Sequence, residues 1–283
     1  MTNSRRTVLV FGATGRQGGA TARHLLAKGW QVRALTRDAS QPAAQALKDA
    51  GVEVITGDYG DEAALEAAMR GVYGVFSVQA YGGEEVRYGK LVADTAHAAG
   101  VQHFVYSSVQ SASDLARVGD ASKWIIEQHI WALGLPATIL RPSLFMDDVI
   151  GSRYGVADGV FSIAFRPDVA IGLIASDDIG ALAAWAFENP TIAVGQTIEL
   201  AGDAITPTQV AAELSQALGR TIPYVQVSIE TVEQHSPTAA RAFEYLNEVG
   251  YTTDVPALRE RYAGLMDFKT WLAKVIPARD RAE

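Results

Sequence analysis

The sequence predicts an α/β protein, a doubly wound parallel sheet with a smaller, mostly helical C-terminal lobe. Three observations carry that expectation. Through residue 142, short β-branched runs alternate with amphipathic, Ala-rich stretches. The runs are continuously apolar, as strands covered on both faces require. They are separated by about 10–15 helical residues, the length of a crossover between parallel strands.

In order, TVLVFG is a strand, followed by a helix to Lys28; WQVRALT precedes the helix QPAAQALKDAG, and VEVITG precedes DEAALEAAMRG. GVYGVFSV leads into EEVRYGKLVADTAHAAG, and VQHFVYSS leads into a helix around SKWIIEQHIWALG and the strand LPATILRP. The helices close at Gly29, Gly51, Gly71, Gly100 and Gly134, residues suited to a left-handed C-terminal cap. After Pro142 the alternation loosens. DDIGALAAWAFENP reads as a helix with Asp177 and Asp178 at its positive end, and TIELAG as a strand. TPTQVAAELSQALG is a helix with Thr206 as N-cap, Pro207 at N1, Gln209 completing a capping box and Gly219 past its end. The remainder, through TWLAKV, is mostly helical. The expected division is a sheet domain over 1–150 and a smaller lobe over 151–283, which returns a strand near 196–201 to the main sheet.

The 283 residues are 48% hydrophobic, enough for one large core or two modest ones. A net charge of -8, with 24 scattered Lys and Arg residues, argues against direct nucleic-acid binding. With no Cys and five His that lack ligand-like spacing, no metal site is expected. Arg5-Arg6 ahead of TVLVF has the look of a twin-arginine start, but the apolar run breaks after Phe11. No stretch approaches the roughly 20 apolar residues of a spanning helix. The expectation is a cytoplasmic protein with no membrane partner.

GATGRQGG follows the first strand and opens a helix, placing Gly12, Gly15 and Gly18 three apart in a strand-turn-helix context. The first glycine permits a tight turn, the second lets backbone amides approach a pyrophosphate, and the third lets the helix pack on the sheet. Phosphates favour the helix N-terminus that results. Within a βαβ unit this predicts dinucleotide binding and a Rossmann-type domain. At the end of the second strand, where NAD sites usually carry a carboxylate, stands Arg37. A guanidinium clasps a 2′-phosphate, favouring NADP(H) over NAD(H). The alternative is a surface Arg37 paired with Asp38, whose carboxylate keeps NAD use open. Arg16 either adds a second positive group or points to water. After the third strand, Asp58 suits the adenine amino group, and Asp61 suits a helix cap.

GATGRQGG, the arginine after the second strand, SSV, SK of SKWIIEQHI, GLPATILRPSLFMDD, IASDDIGALAAWAFENP, IELAGDAITPTQVAAEL and LGRTIPYVQV together resemble the NmrA-like family. These are atypical members of the short-chain dehydrogenase/reductase superfamily, and the likeness spans nearly the whole chain. It implies a Rossmann domain, a smaller lobe, a cleft between them and bound NADP(H). It also implies phosphate contacts at Gly12, Thr14, Gly15, Gln17 and Gly18, and 2′-phosphate recognition by Arg37. Asp58 and Tyr59 would lie near adenine, and Val78 and Gln79 near the inner ribose. Ser107, Lys123 and the backbone from Pro142 to Leu144 would face the nicotinamide, while Phe145, Met146, Asp147 and Asp148 would line an acceptor pocket.

Family members are either NAD(P)H-dependent reductases of quinones or related acceptors, or redox sensors that bind partner proteins. The YxxxK pair of ordinary short-chain dehydrogenases is incomplete, because Gly119 stands four residues before Lys123. Lys123 is either a helical ion-pair partner of Glu127 or, as the resemblance implies, the residue holding the nicotinamide ribose and the candidate catalytic group. A quinone needs less proton chemistry than an alcohol. The expected function is therefore NADPH-dependent reduction of a quinone-like small acceptor by a monomer or homodimer. The alternative is a non-catalytic NADP(H) sensor with a protein partner.

Overall fold

In the computed structural model, the structure describes residues 6–250 and 253–276. Arg5 of the Arg5-Arg6 pair lies outside the described residues. The chain divides into two compact units: Met1–Val109 with Ser122–Arg141 and Ile179–Ile198, and Gln110–Ala121 with Pro142–Asp178 and Glu199–Glu283. The division is interleaved, unlike a single cut at residue 150.

The alternating region contains β1 (Thr7–Val10), α1 (Arg16–Ala27), β2 (Gln31–Thr36), α2 (Pro42–Asp49), β3 (Glu53–Thr56), α3 (Glu62–Met69) and β4 (Gly74–Ser77). It continues with α4 (Glu85–Ala98), β5 (His103–Ser107), a short α5 (Ala112–Arg117) in the second unit, α6 (Ser122–Ala132) and β6 (Ala137–Pro142). The seven-stranded sheet has the order Thr197–Leu200, β6, β5, β4, β1, β2, β3. Neighbours from β3 through β6 pair in parallel. Strand order therefore reverses between β1 and β4, and in such sheets the crevice beyond the carboxyl ends of those strands is where ligands bind.

Burial explains the continuous apolar runs. Val8, Leu9 and Val10 of β1 are fully buried, and every residue of β4 and β5 is buried too. Leu9 and Phe11 pack in one core with Leu65 and Met69 of α3, Val92 of α4 and Ile126 of α6. The five glycines closing helices or turns, Gly29, Gly51, Gly71, Gly100 and Gly134, all have positive φ. His103 is buried at the start of β5, its Nε2 2.8 Å from Thr138 Oγ1, which donates to the Ala193 carbonyl. Burial holds its pKa down at about 4, so the ring is neutral and structural.

The second unit has its own core, with Met146, Phe161, Leu173, Val210, Leu214, Phe268 and Trp271. It adds small sheets absent from the sequence reading: Asp203–Ile205, Ile171–Ile174 and Leu144–Phe145 form one, Tyr224–Gln226 and Phe161–Ile163 another. The helix Pro207–Leu218 has the full capping box between Thr206 and Gln209, and ends at Gly219 with φ 66°. Among the described residues, no helix is long and apolar enough to cross a membrane.

Candidate functional site

The turn after β1 is built by its glycines. Gly12 has φ +64°, and the Gly15 N–H donates to its carbonyl over 2.8 Å. Gly15 is extended and makes no side-chain cap, leaving the first amides of α1 without that acceptor. Gly18 is the packing glycine: a Cβ there would lie 2.3 Å from the Gly12 carbonyl oxygen and 2.5 Å from that of Phe11. Thr14, Gly15 and Arg16 are exposed, and Gln17 is half-buried.

Beside this turn is a cavity of about 380 Å³ lined by Arg37, Asp58, Tyr59, Tyr88 and the segment Gln79–Glu85. It brings together four residues expected from sequence, Arg37, Asp58, Tyr59 and Gln79. Val78 lies against the turn, its Cγ1 3.1 Å from where a Gly12 Cβ would stand. The Tyr59 ring packs on Phe11 at 5.2 Å and on Tyr88 at 5.8 Å. Burial pushes its phenol up to about 12, against the opposing effects of the Gly12 backbone and the Arg37 charge, so it stays neutral.

Arg37 does not pair with Asp38. The Asp38 carboxylate accepts from Ser40 N at 2.8 Å, Ser40 Oγ at 2.6 Å and Gln41 Nε2 at 2.9 Å. The Ser40 hydroxyl, then its amide and Gln41, hold the carboxyl below its usual range. Asp58 accepts from the Gly60 amide, and Asp61 caps α3 by accepting from Ala64 N at 3.1 Å.

At the end of β5, Ser107 is fully buried and donates to Gln17 Oε1 over 2.6 Å, tying the strand to α1. Lys123 is also buried, and the helical pair with Glu127 is not formed. Glu127 is taken by Arg141, whose Nη2 donates to Glu127 Oε2 over 2.6 Å, and by Ser108. Lys123 Nζ instead lies 2.9 Å from Glu85 Oε1 and donates to the Gln79 carbonyl at 3.1 Å. The rings of Tyr81 and Tyr106 stand 5.3 and 5.5 Å from it.

A tyrosine in place of Gly119 would be strained by the backbone there. Gly119 has φ +103°, and a Cβ would meet Arg241 Nη2 at 2.9 Å. It precedes α6, which begins at Ser122, so the four-residue interval to Lys123 is not a helical one.

In the second unit, the Pro142 carbonyl accepts from Gln110 N, and Leu144–Phe145 pairs with Leu173–Ile174. Met146, expected to line a pocket, sits fully buried in that unit's core, because the chain turns into a short helix at this residue. Asp147 accepts from Ser176 N at 2.9 Å, at the start of the helix Ser176–Glu188. Asp148 faces Arg153 at 3.8 Å. Phe145 remains half-buried.

A family model described as the NmrA-like family matches residues 4–270. The chain belongs to the NmrA-like family. It is similar to a (4-alkanoyl-5-oxo-2,5-dihydrofuran-3-yl)methyl phosphate reductase of Streptomyces griseus subsp. griseus, 32% identical over 83% of this chain and 84% of the relative. It is also similar to the nitrogen metabolite repression protein of Emericella nidulans, 29% identical over 85% of this chain and 74% of that protein. Among solved structures, an NADPH-dependent quinone oxidoreductase of Escherichia coli complexed with NADPH superposes with a TM-score of 0.81 at 26% identity, over 95% of this chain and 100% of that one. The family's relatives thus include oxidoreductases.

Sequence reasoning missed Glu85, Tyr81, Tyr88 and Arg141. Glu85 and Lys123 lie on different helices, and no local spacing signals their pairing. A buried lysine at a helix start needs a carboxylate nearby, and that requirement was the one available clue.

Proposed function

We propose that the chain binds NADP(H) and acts as an oxidoreductase that reduces a small, quinone-like acceptor. The observation that carries the reading is Arg37: it lines the cavity with Asp58 and Tyr59, and forms no ion pair or hydrogen bond among the described residues. The residues fit the cofactor. At the Gly12–Gly18 turn the first amides of α1 are approachable at the exposed Gly15, which has no side chain to cap them, and Gln79 Oε1 is buried with no hydrogen-bond partner among the described residues.

In this reading the amides at the start of α1, with Thr14, Gly15, Arg16 and Gln17, hold the pyrophosphate. Arg37 holds the 2′-phosphate, Asp58 and Tyr59 receive adenine, and Val78 and Gln79 receive the inner ribose. Ser107 and the Pro142–Leu144 backbone are assigned to the nicotinamide half, and Phe145 and Asp147 to the acceptor. The cofactor, when bound, supplies the hydride. Lys123 positions the site, because its ammonium is already engaged by Glu85 and Gln79. A quinone takes its proton from water after accepting hydride, so no phenol is needed at Gly119.

The test is NADPH oxidation against a panel of quinones and secondary alcohols, with NADPH and NADH affinities measured alongside. Quinone turnover with negligible alcohol turnover is expected. Robust alcohol turnover refutes the assignment of the site. Tight NADPH binding with no turnover of any acceptor favours a sensor, the reading suggested by likeness to a repression protein.

A further inference from the structure

Between β4 and α4, the segment Gln79–Glu85 supplies seven consecutive residues to one wall of the cavity. It contains Gly82 and Gly83, and Tyr81 within it is 63% exposed, so little of its own side-chain packing holds it. Besides the Gln79 Nε2 bond to Ser77 Oγ, α6 holds it. Lys123 Nζ contacts the segment at its start through the Gln79 carbonyl, at its middle beside the Tyr81 ring and at its end through Glu85. Ser122 Oγ adds a 2.7 Å bond to Glu85 Oε2. Lys123 and Glu85 are 4% and 2% exposed.

The helix termini explain why the two charges need each other. Lys123 is the second residue of α6, where the positive end of the helix disfavours a cation. Glu85 is the first residue of α4, where an anion is favoured but burial is costly. Together they offset both charges, Glu85 Oε1 meeting the ammonium as an ion pair rather than a hydrogen bond, while the ammonium donates to the Gln79 carbonyl. We infer that Glu85 is a positioning residue: through Lys123 it straps the Gln79–Glu85 segment shut and sets the nucleotide-facing wall of the cavity. The effect on nucleotide rests on the function proposed above; the strap itself does not.

The experiment uses the full chain carrying Glu85→Gln, Lys123→Met, both together, or Ser122→Ala. Without nucleotide, amide exchange of residues 79–85 should quicken on the order of tenfold or more in each charge variant, while β1 amides remain protected. In NADPH titrations each single charge variant should weaken binding on the order of tenfold, and the double variant no further, the non-additivity of one shared contact. In Glu85→Gln, KM for NADPH should rise while kcat stays within about twofold, a split that general destabilisation would not produce. If either charge variant does not fold, Ser122→Ala decides by the same exchange measurement, with a smaller quickening expected. Unchanged exchange over 79–85 in folded variants overturns the inference, as does additive loss of NADPH binding. A segment that loosens in variants of a parent that binds no NADPH would support the strap and overturn the proposed function instead.

Discussion

The glycine turn gives a prediction in which fold and ligand binding separate. In Gly18→Ala the new Cβ would stand 2.3 Å from Gly12 O, 2.4 Å from Gly12 C and 2.5 Å from Phe11 O. All three are backbone atoms, and none can rotate away. The turn is further fixed by Phe11 N donating to Phe76 O and Gly15 N to Gly12 O. Reaching ordinary contact requires about 1 Å of displacement of α1 from the strand, the difference between 2.3 Å and 3.4 Å. Overpacking of this kind costs about 1–3 kcal/mol, or roughly 3–10 °C in melting temperature. At Gly15 the backbone is extended with φ -100°, and a Cβ would meet only Gly12 O, at 3.3 Å. Gly15→Val therefore loses at most about 1 kcal/mol through a poorer cap, yet its side chain stands where a pyrophosphate must approach. Thermal melting and NADPH titration of both variants make the comparison. Gly18→Ala should melt lower, while Gly15→Val should melt near the parent and bind no nucleotide. A Gly18→Ala variant as stable as the parent would refute the steric argument. Equal losses of stability in both would reduce the glycines to turn-formers.

Arg37→Asp should weaken NADPH binding by about tenfold or more while sparing NADH, since a charged hydrogen bond contributes about 1.5–3 kcal/mol; titration with both nucleotides reads the reversal. Arg141→Met should destabilise the protein by about 3–5 kcal/mol, because it leaves the fully buried Glu127 without its cation; denaturant unfolding should show much of that recovered in Arg141→Met/Glu127→Met. Burial raises Asp178 from its ordinary 3.8 to about 6, although it accepts from Met266 N. The native state therefore holds the proton more tightly than the unfolded chain, and this contribution, present below pH 4, is lost as pH rises through about 6. Asp178→Asn should gain on the parent over that window, by up to about 3 kcal/mol, and pH-resolved melting curves that run parallel would contradict the assignment.

The sheet was legible because its signals are local and redundant: TVLVF and GVFS are apolar throughout, and glycine closes helix after helix. The capping box at Thr206 was legible for the same reason. Leu144–Phe145 and Phe161–Ile163 escaped because strands of two or three residues carry no periodicity. At the candidate site, Arg37, Asp58, Tyr59 and Gln79 follow strand ends in sequence, and the parallel register gathers such ends on one edge. Met146 was misplaced because an apolar residue in a turn reads equally as pocket or core. The partner of Lys123 depends on how α4 and α6 approach, which is a tertiary fact with no trace in the helix that carries the lysine.

The interleaved chain also constrains the order of events at the ribosome. The polypeptide crosses between its two units five times, at 109/110, 121/122, 141/142, 178/179 and 198/199. The nascent N-terminal half consequently emerges without Ile179–Ile198, and β6 waits at an unpaired edge until Thr197–Leu200 has been synthesised. Assembly cannot proceed by finishing one unit before starting the other, the usual vectorial route for chains of this length. A stalled or truncated product ending near residue 150 would display that open edge, making it a substrate for holdase chaperones and a nucleus for aggregation.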